Sequence, residues 1–90
     1  MEILGIGWYR KEQWEHLRSI APDRDRLEAT WEEWAEVAEK KMIELMKAGH
    51  QVQKVPVDVA EFELWCRAKK RLCDGAARSE YIAARLSAKP

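Results

Sequence analysis

The stretch from Thr30 to Gly49 limits this chain most, because it carries its own start signal, stop signal and buried face. Thr30 and Glu33 have the T-x-x-E spacing of a capping box, in which hydroxyl and carboxylate each satisfy an orphan N–H at a helix start. At 100° per residue Trp31, Trp34, Ala35, Ala38, Met42, Leu45 and Met46 fall in one stripe about 120° wide. Glu32, Glu33, Glu36, Lys40, Glu44 and Lys47 take the opposite side, with Glu36 and Lys40 as an i,i+4 pair in the favoured order. Val37 and Ile43 fall outside the stripe. Gly49 stands where a left-handed C-cap is needed. A stripe of that width has to be covered, and the rest of the chain is read for what can cover it.

Ile3-Leu4-Gly5-Ile6-Gly7-Trp8-Tyr9 has the two-residue period of a strand, with Leu4, Ile6 and Trp8 on one face and Gly5 and Gly7 on the other. Two glycines on one face leave a groove where another backbone or an aromatic ring can approach. Lys11 to Ile20 reads as a short helix with Trp14, Leu17 and Ala21 inside, ended by Pro22. The Asp23-Arg24-Asp25-Arg26 loop follows. A second strand runs near Gln51 to Val57, and Pro56 places it at an edge, since proline has no N–H to give a ladder. Asp58 and Glu61 repeat the capping-box spacing before a third helix, whose inner face is Val59, Phe62, Trp65 and Cys66. Lys69 would fall in the middle of that stripe, so the helix ends near Lys69 or Lys70. Asp74 caps a last helix, Gly75 to Ala88, rich in alanine and able to pack closely on more than one side.

The expected fold is α+β, in the order β-α-α-β-α-α, a single domain over 1–90 with a two-stranded sheet per chain packed by four helices. A chain of 90 residues with 47% hydrophobic residues has enough apolar material to fold. It buries only roughly 60–65% of its unfolded surface, so its core is thin and a partner subunit would help it. Two strands alone make a weak sheet. Either the helices cover it tightly, or strands of two chains join into a larger sheet across a symmetric dimer. In the second case Ile3 to Tyr9 does the pairing, because the other strand is marked by Pro56. No apolar run approaches the ~18 residues of a membrane span, and Met-Glu-Ile-Leu-Gly lacks the basic start of a signal peptide. A cytoplasmic protein without a membrane partner is the expectation.

Gly7-Trp8-Tyr9-Arg10, Trp14, Thr30-Trp31-Glu32-Glu33-Trp34, Val57-Asp58-Val59, Trp65-Cys66 and Gly75-Ala76-Ala77-Arg78 together resemble a group of short uncharacterised bacterial proteins. The group has no established activity, so the resemblance implies a bacterial cytoplasmic protein and adds no chemistry. Its third helix tends to end with a glycine, where this chain has Lys69-Lys70-Arg71.

No catalytic constellation stands out, and no cofactor or metal is implied. On one helix the seven-residue separation of Cys66 and Cys73 sets their Cα atoms about 10 Å apart, beyond the roughly 4.4–6.8 Å that a disulfide spans. Ending the third helix at Lys70 weakens that objection, but a reducing cytoplasm still disfavours the bond. The C-x6-C spacing matches no usual metal pair, and His16 and His50 are remote from it in sequence. Buried thiols are the expected state. Gly5-Ile6-Gly7 lacks the third glycine of a phosphate loop.

Two surfaces are candidates for partners. Trp8, Tyr9 and Trp14 gather at the first strand–helix junction beside Arg10, and aromatic residues with arginine are typical interface anchors. The plain alternative is an aromatic minicore with Arg10 on its edge. Lys54, Arg67, Lys70, Arg71, Arg78 and Arg85 carry the basic excess of the second half, where 8 basic face 5 acidic groups after residue 49. Such a set suits an anion or nucleic acid, or else a solvated face that pairs with the acidic second helix. The 16 Lys+Arg and 16 Asp+Glu cancel, which gives little steering toward nucleic acid. The layout from Gln51 onward also resembles the C-terminal half of ribbon-helix-helix regulators, in which paired strands of a dimer read DNA. The reading favoured is a non-enzymatic protein-interaction module, homodimeric or bound to another protein. A dimeric DNA-binding regulator is the alternative.

Overall fold

The structure, a computed structural model, describes residues 3–87. The elements are β1 (Ile3–Trp8), α1 (Trp14–Ile20), α2 (Trp31–Lys47), β2 (Gln51–Pro56), α3 (Val59–Ala68) and α4 (Gly75–Ser87). This is the expected β-α-α-β-α-α order. The helix expected from Lys11 begins as a single 3-10 turn, Lys11–Gln13, and becomes α-helical only at Trp14.

The two strands pair within the chain and run parallel, from Ile3 opposite Gln51 to Trp8 opposite Pro56. Parallel neighbours need a long crossover, which α1 and α2 supply. Leu4, Ile6 and Trp8 share a face with Val52 and Lys54, and α2 lies on it: the Trp8 and Trp34 rings are 4.9 Å apart. The glycine face takes α4. A Cβ on Gly7 would sit 2.4 Å from Ile82 Cδ1, and one on Gly5 3.2 Å from Leu86 Cδ2. The groove that the two glycines leave is therefore filled by aliphatic side chains of a helix, where the sequence suggested a backbone or an aromatic ring.

The core gathers past the C-terminal ends of the strands. Tyr9 and Val57, just beyond the last paired residues, meet Trp14, Leu17, Phe62, Cys66, Ala77 and Tyr81 there. The expected inner residues of α1 and the following turn, Trp14, Leu17 and Ala21, are all buried. The α2 stripe is not. Only Ala38 is fully buried, and Met46 is 56% exposed. The reason is width and length. Two strands span about 5 Å between their axes and six residues run about 20 Å, whereas a 17-residue helix is about 26 Å long and 10 Å across.

The caps follow the sequence closely. Thr30 Oγ1 accepts from Glu33 N–H at 3.2 Å, Asp58 Oδ1 from Glu61 N–H at 3.2 Å, and Asp74 Oδ1 from Ala77 N–H at 2.9 Å. Both α2 and α3 end in a Schellman motif: His50 N–H donates to Leu45 C=O and Arg71 N–H to Cys66 C=O. Gly49 fills the left-handed position of the first, with φ +94. Lys70 fills that of the second, with φ 55, so a lysine does the work expected of a glycine. Its Cβ makes that conformation cost about 1 kcal/mol, partly offset in a glycine variant by the greater freedom of the unfolded chain. Lys70→Gly should therefore raise the unfolding free energy by about 0.5–1 kcal/mol, read as a higher urea midpoint at unchanged slope.

Candidate functional site

The aromatic corner is interior. Tyr9 is 6% exposed and Trp14 2%. Trp14 stacks on Trp34 with centroids 5.3 Å apart, and Tyr9 meets Trp34 edge-on at 5.2 Å. The indole N–H groups are spent inside the chain, Trp14 Nε1 on Glu28 C=O at 3.1 Å and Trp31 Nε1 on Tyr9 C=O at 2.8 Å. Burial pushes the Tyr9 hydroxyl up to about 12, against the opposing charge of Arg78. Trp8 is half-buried under Lys54, whose Nζ lies 3.9 Å from the ring centroid. Only Arg10 is exposed, 3.5 Å from Glu12. Trp8, Tyr9, Arg10 and Trp14 thus form the minicore with a charged rim, and Tyr9 and Trp14 present no surface to a partner. Tyr9 and Trp14 lie inside because β1 leads straight into the core, while Trp8 and Arg10 stay at its rim.

The basic residues do not assemble either. Lys54 lies 3.4 Å from Glu39, Arg67 3.5 Å from Glu63, and Arg71 pairs with Glu80. Arg78 grips Asp23 through two hydrogen bonds, 3.0 and 2.7 Å, and donates to Cys73 C=O at 3.1 Å. Among the described residues Lys70 and Arg85 form no ion pair. Lys70 ends α3, and Arg85 edges an apolar groove of about 480 Å³ between α3 and α4, with Leu64, Trp65 and Tyr81. Four of the six cations, Lys54, Arg67, Arg71 and Arg78, have an acidic partner within the chain.

Cys66 and Cys73 are free and buried, 1% and 8% exposed. The turn after α3 brings them side by side. Burial pushes the Cys66 thiol up to about 12, and its hydrogen bond with Cys73 adds to the effect. A raised thiol is less often a thiolate at neutral pH and so a weaker nucleophile. The native chain should therefore resist a thiol-specific reagent that labels both cysteines rapidly in denaturant; fast native labelling would contradict this burial. His16 Nε2 is 3.0 Å from Glu63 Oε1, and His50 is exposed. Among the described residues no cluster of His, Cys, Asp and Glu is placed to hold a metal ion.

The backbone offers what the side chains do not. Trp8 C=O accepts from Val57 N–H at 3.0 Å, so with the parallel register Leu4, Ile6 and Trp8 turn their peptide groups toward β2. Ile3, Gly5 and Gly7 then turn theirs away, to the free edge of β1. Tyr9 C=O, in the same phase, takes the Trp31 indole. Gly5 is half-buried on that side and Gly7 is buried. A cleft of about 270 Å³ opens there, bounded by Ile3, Gly5, Ser79, Ile82, Ala83 and Leu86. On β2 the outward groups belong to Val52, Lys54 and Pro56. Pro56 has no N–H and Lys54 brings a charge, two devices that blunt a sheet edge. The sequence marked Pro56 as an edge residue; that Gly5 and Gly7 face outward required the register.

No family model matches the chain, and no curated protein or solved structure matches it. No helix among the described residues is long and apolar enough to cross a membrane.

Proposed function

We propose that this chain is a small non-enzymatic protein-interaction module, cytoplasmic, which binds by strand addition at the open edge of β1. The observation that carries the reading is the contrast between the two edges of one sheet. β2 is closed by Pro56 and Lys54, whereas β1 turns the peptide groups of Ile3 and Gly5 to its free edge, Ile3 exposed and Gly5 half-buried, without a charge from Ile3 to Tyr9. Exposed ladder groups on an uncharged edge are a template for another strand. The absence of side chains on Gly5 and Gly7 leaves α4 close above, so an added strand would meet Ile82 and Leu86 on one face. The buried thiols, the His16–Glu63 pair and the neutralised cations support binding over catalysis or DNA recognition.

The test is a titration of isotope-labelled protein with an acetylated, amidated peptide of alternating Thr and Val. The Ile3 and Gly5 amides should shift saturably while those of Val52 and Lys54 stay still. Shifts confined to β2 or to the α3–α4 groove, or none at all, would defeat strand addition at β1.

A further inference from the structure

We infer that the groove between α3 and α4 binds a free apolar amino acid, with its carboxylate on Arg85, its ammonium on Glu61 and its side chain against Leu64 and Trp65. The site lies apart from the edge of β1 and does not depend on strand addition there. Matching spacings on the two helices build it. Glu61, Leu64 and Trp65 stand at i, i+3 and i+4 on α3, and Tyr81, Ala84 and Arg85 at the same offsets on α4. Each helix therefore lays one face along the groove. Trp65 and Tyr81 meet edge-on at 5.4 Å, and both contact the buried Phe62 ring, which makes an aromatic floor. Ala84 adds only a methyl. The hollow is about 480 Å³, within the roughly 300–1,000 Å³ of small-molecule sites. Leu64 lines it and is still 62% exposed.

The charges select the ligand. Among the described residues Glu61 and Arg85 form no ion pair, with each other or with any other group. Burial raises the Tyr81 hydroxyl above its ordinary value, Arg85 opposes the rise, and Glu61 and Asp58 add to it. Both groove charges thus act on the same end of one ring. A hydrocarbon laid in the groove would take water from Glu61 and Arg85 and return no partner. An anion alone would satisfy Arg85 and repel Glu61, and a cation alone the reverse. An apolar amino acid answers all three surfaces at once. Its carboxylate accepts from the guanidinium, whose planar fork matches it, its ammonium donates to Glu61, and its side chain covers Leu64 and Trp65. A few polar groups fixing orientation within apolar walls is the usual composition of such a site.

The test titrates isotope-labelled native chain with L-phenylalanine, 3-phenylpropionate and phenethylamine, which share one ring and differ in charge. L-Phenylalanine at millimolar concentration should shift the Leu64 and Ala84 methyl signals saturably. Each analogue should bind about tenfold more weakly, the loss expected of one charged hydrogen bond. Arg85→Gln should reduce L-phenylalanine to the affinity of phenethylamine, and Glu61→Gln to that of 3-phenylpropionate. Both side chains are exposed, and Glu61→Gln keeps the backbone N–H that Asp58 caps, so both variants should fold. Three ligands of equal affinity would mark a plain apolar surface and overturn the inference. So would the absence of a saturable shift at Leu64 and Ala84, or variants that bind L-phenylalanine as the native chain does. The strand-addition test reads Ile3 and Gly5 with a capped peptide that carries neither terminal charge, so the two readings fail separately.

Discussion

Truncating Trp14 to alanine should cost about 4 kcal/mol and bring the chain close to unfolding. Trp14 is 2% exposed, stacked on Trp34 and edge-on to Tyr9 at 6.0 Å. Removing a large buried aromatic costs about 3–5 kcal/mol through lost transfer energy and the cavity left behind. The aromatic contacts themselves add about 0.5–1.5 kcal/mol each. A domain of 90 residues holds about 5–13 kcal/mol in all, and a thin core sits toward the low end. Trp14→Phe should cost less, since a ring remains, but it strands Glu28 C=O, which now accepts the indole N–H at 3.1 Å. Circular dichroism and urea midpoints check both. If Trp14→Ala instead leaves the urea midpoint of the native chain unchanged and only weakens association, the ring is a surface anchor after all and the interior placement is wrong.

That outcome bears on what could be read from the sequence. The order of elements, the three side-chain caps and the left-handed Gly49 were legible because each depends on a few neighbouring residues. The end of α3 was legible from the position of Lys69 in the apolar stripe. That Lys70 itself takes φ 55 was not, because lysine carries no signal for that conformation. Helix α2 shows the opposite failure. Its pattern announces one wide apolar face, yet coverage depends on the width of the sheet beneath, which no local pattern encodes. The aromatic corner is the third case. Trp and Arg adjacency looks the same for an anchor and for a core with a charged rim, and only the path of β1 into the core separates them. The candidate site itself was half visible: Pro56 marked one edge of the sheet, but the phase of the peptide groups on β1 depends on which strand it joins and in which direction.

Breaking the Arg78–Asp23 pair should be the costliest polar change, about 2–3 kcal/mol for Arg78→Ala. The pair joins residues 55 positions apart through two hydrogen bonds, with side chains 13% and 24% exposed. Removing one partner of a largely buried pair leaves the other charge desolvated and alone, and here it also leaves Cys73 C=O without its donor. Removing both costs less than the sum, so the Arg78→Ala, Asp23→Ala cycle should show a coupling of about 1–2 kcal/mol. The pH dependence has a definite sign. Hydrogen bonds from Arg78 hold the Asp23 carboxyl below its ordinary 3.8. A carboxyl depressed by folding adds stability that is fully present above its unfolded value and is lost as pH falls through its folded value. The gap between native chain and Arg78→Ala should therefore be widest at neutral pH and narrow below about pH 3.8, where Asp23 of the unfolded chain takes up its proton. Urea denaturation of both chains across that range measures it, and a gap that widens in acid would contradict the pairing.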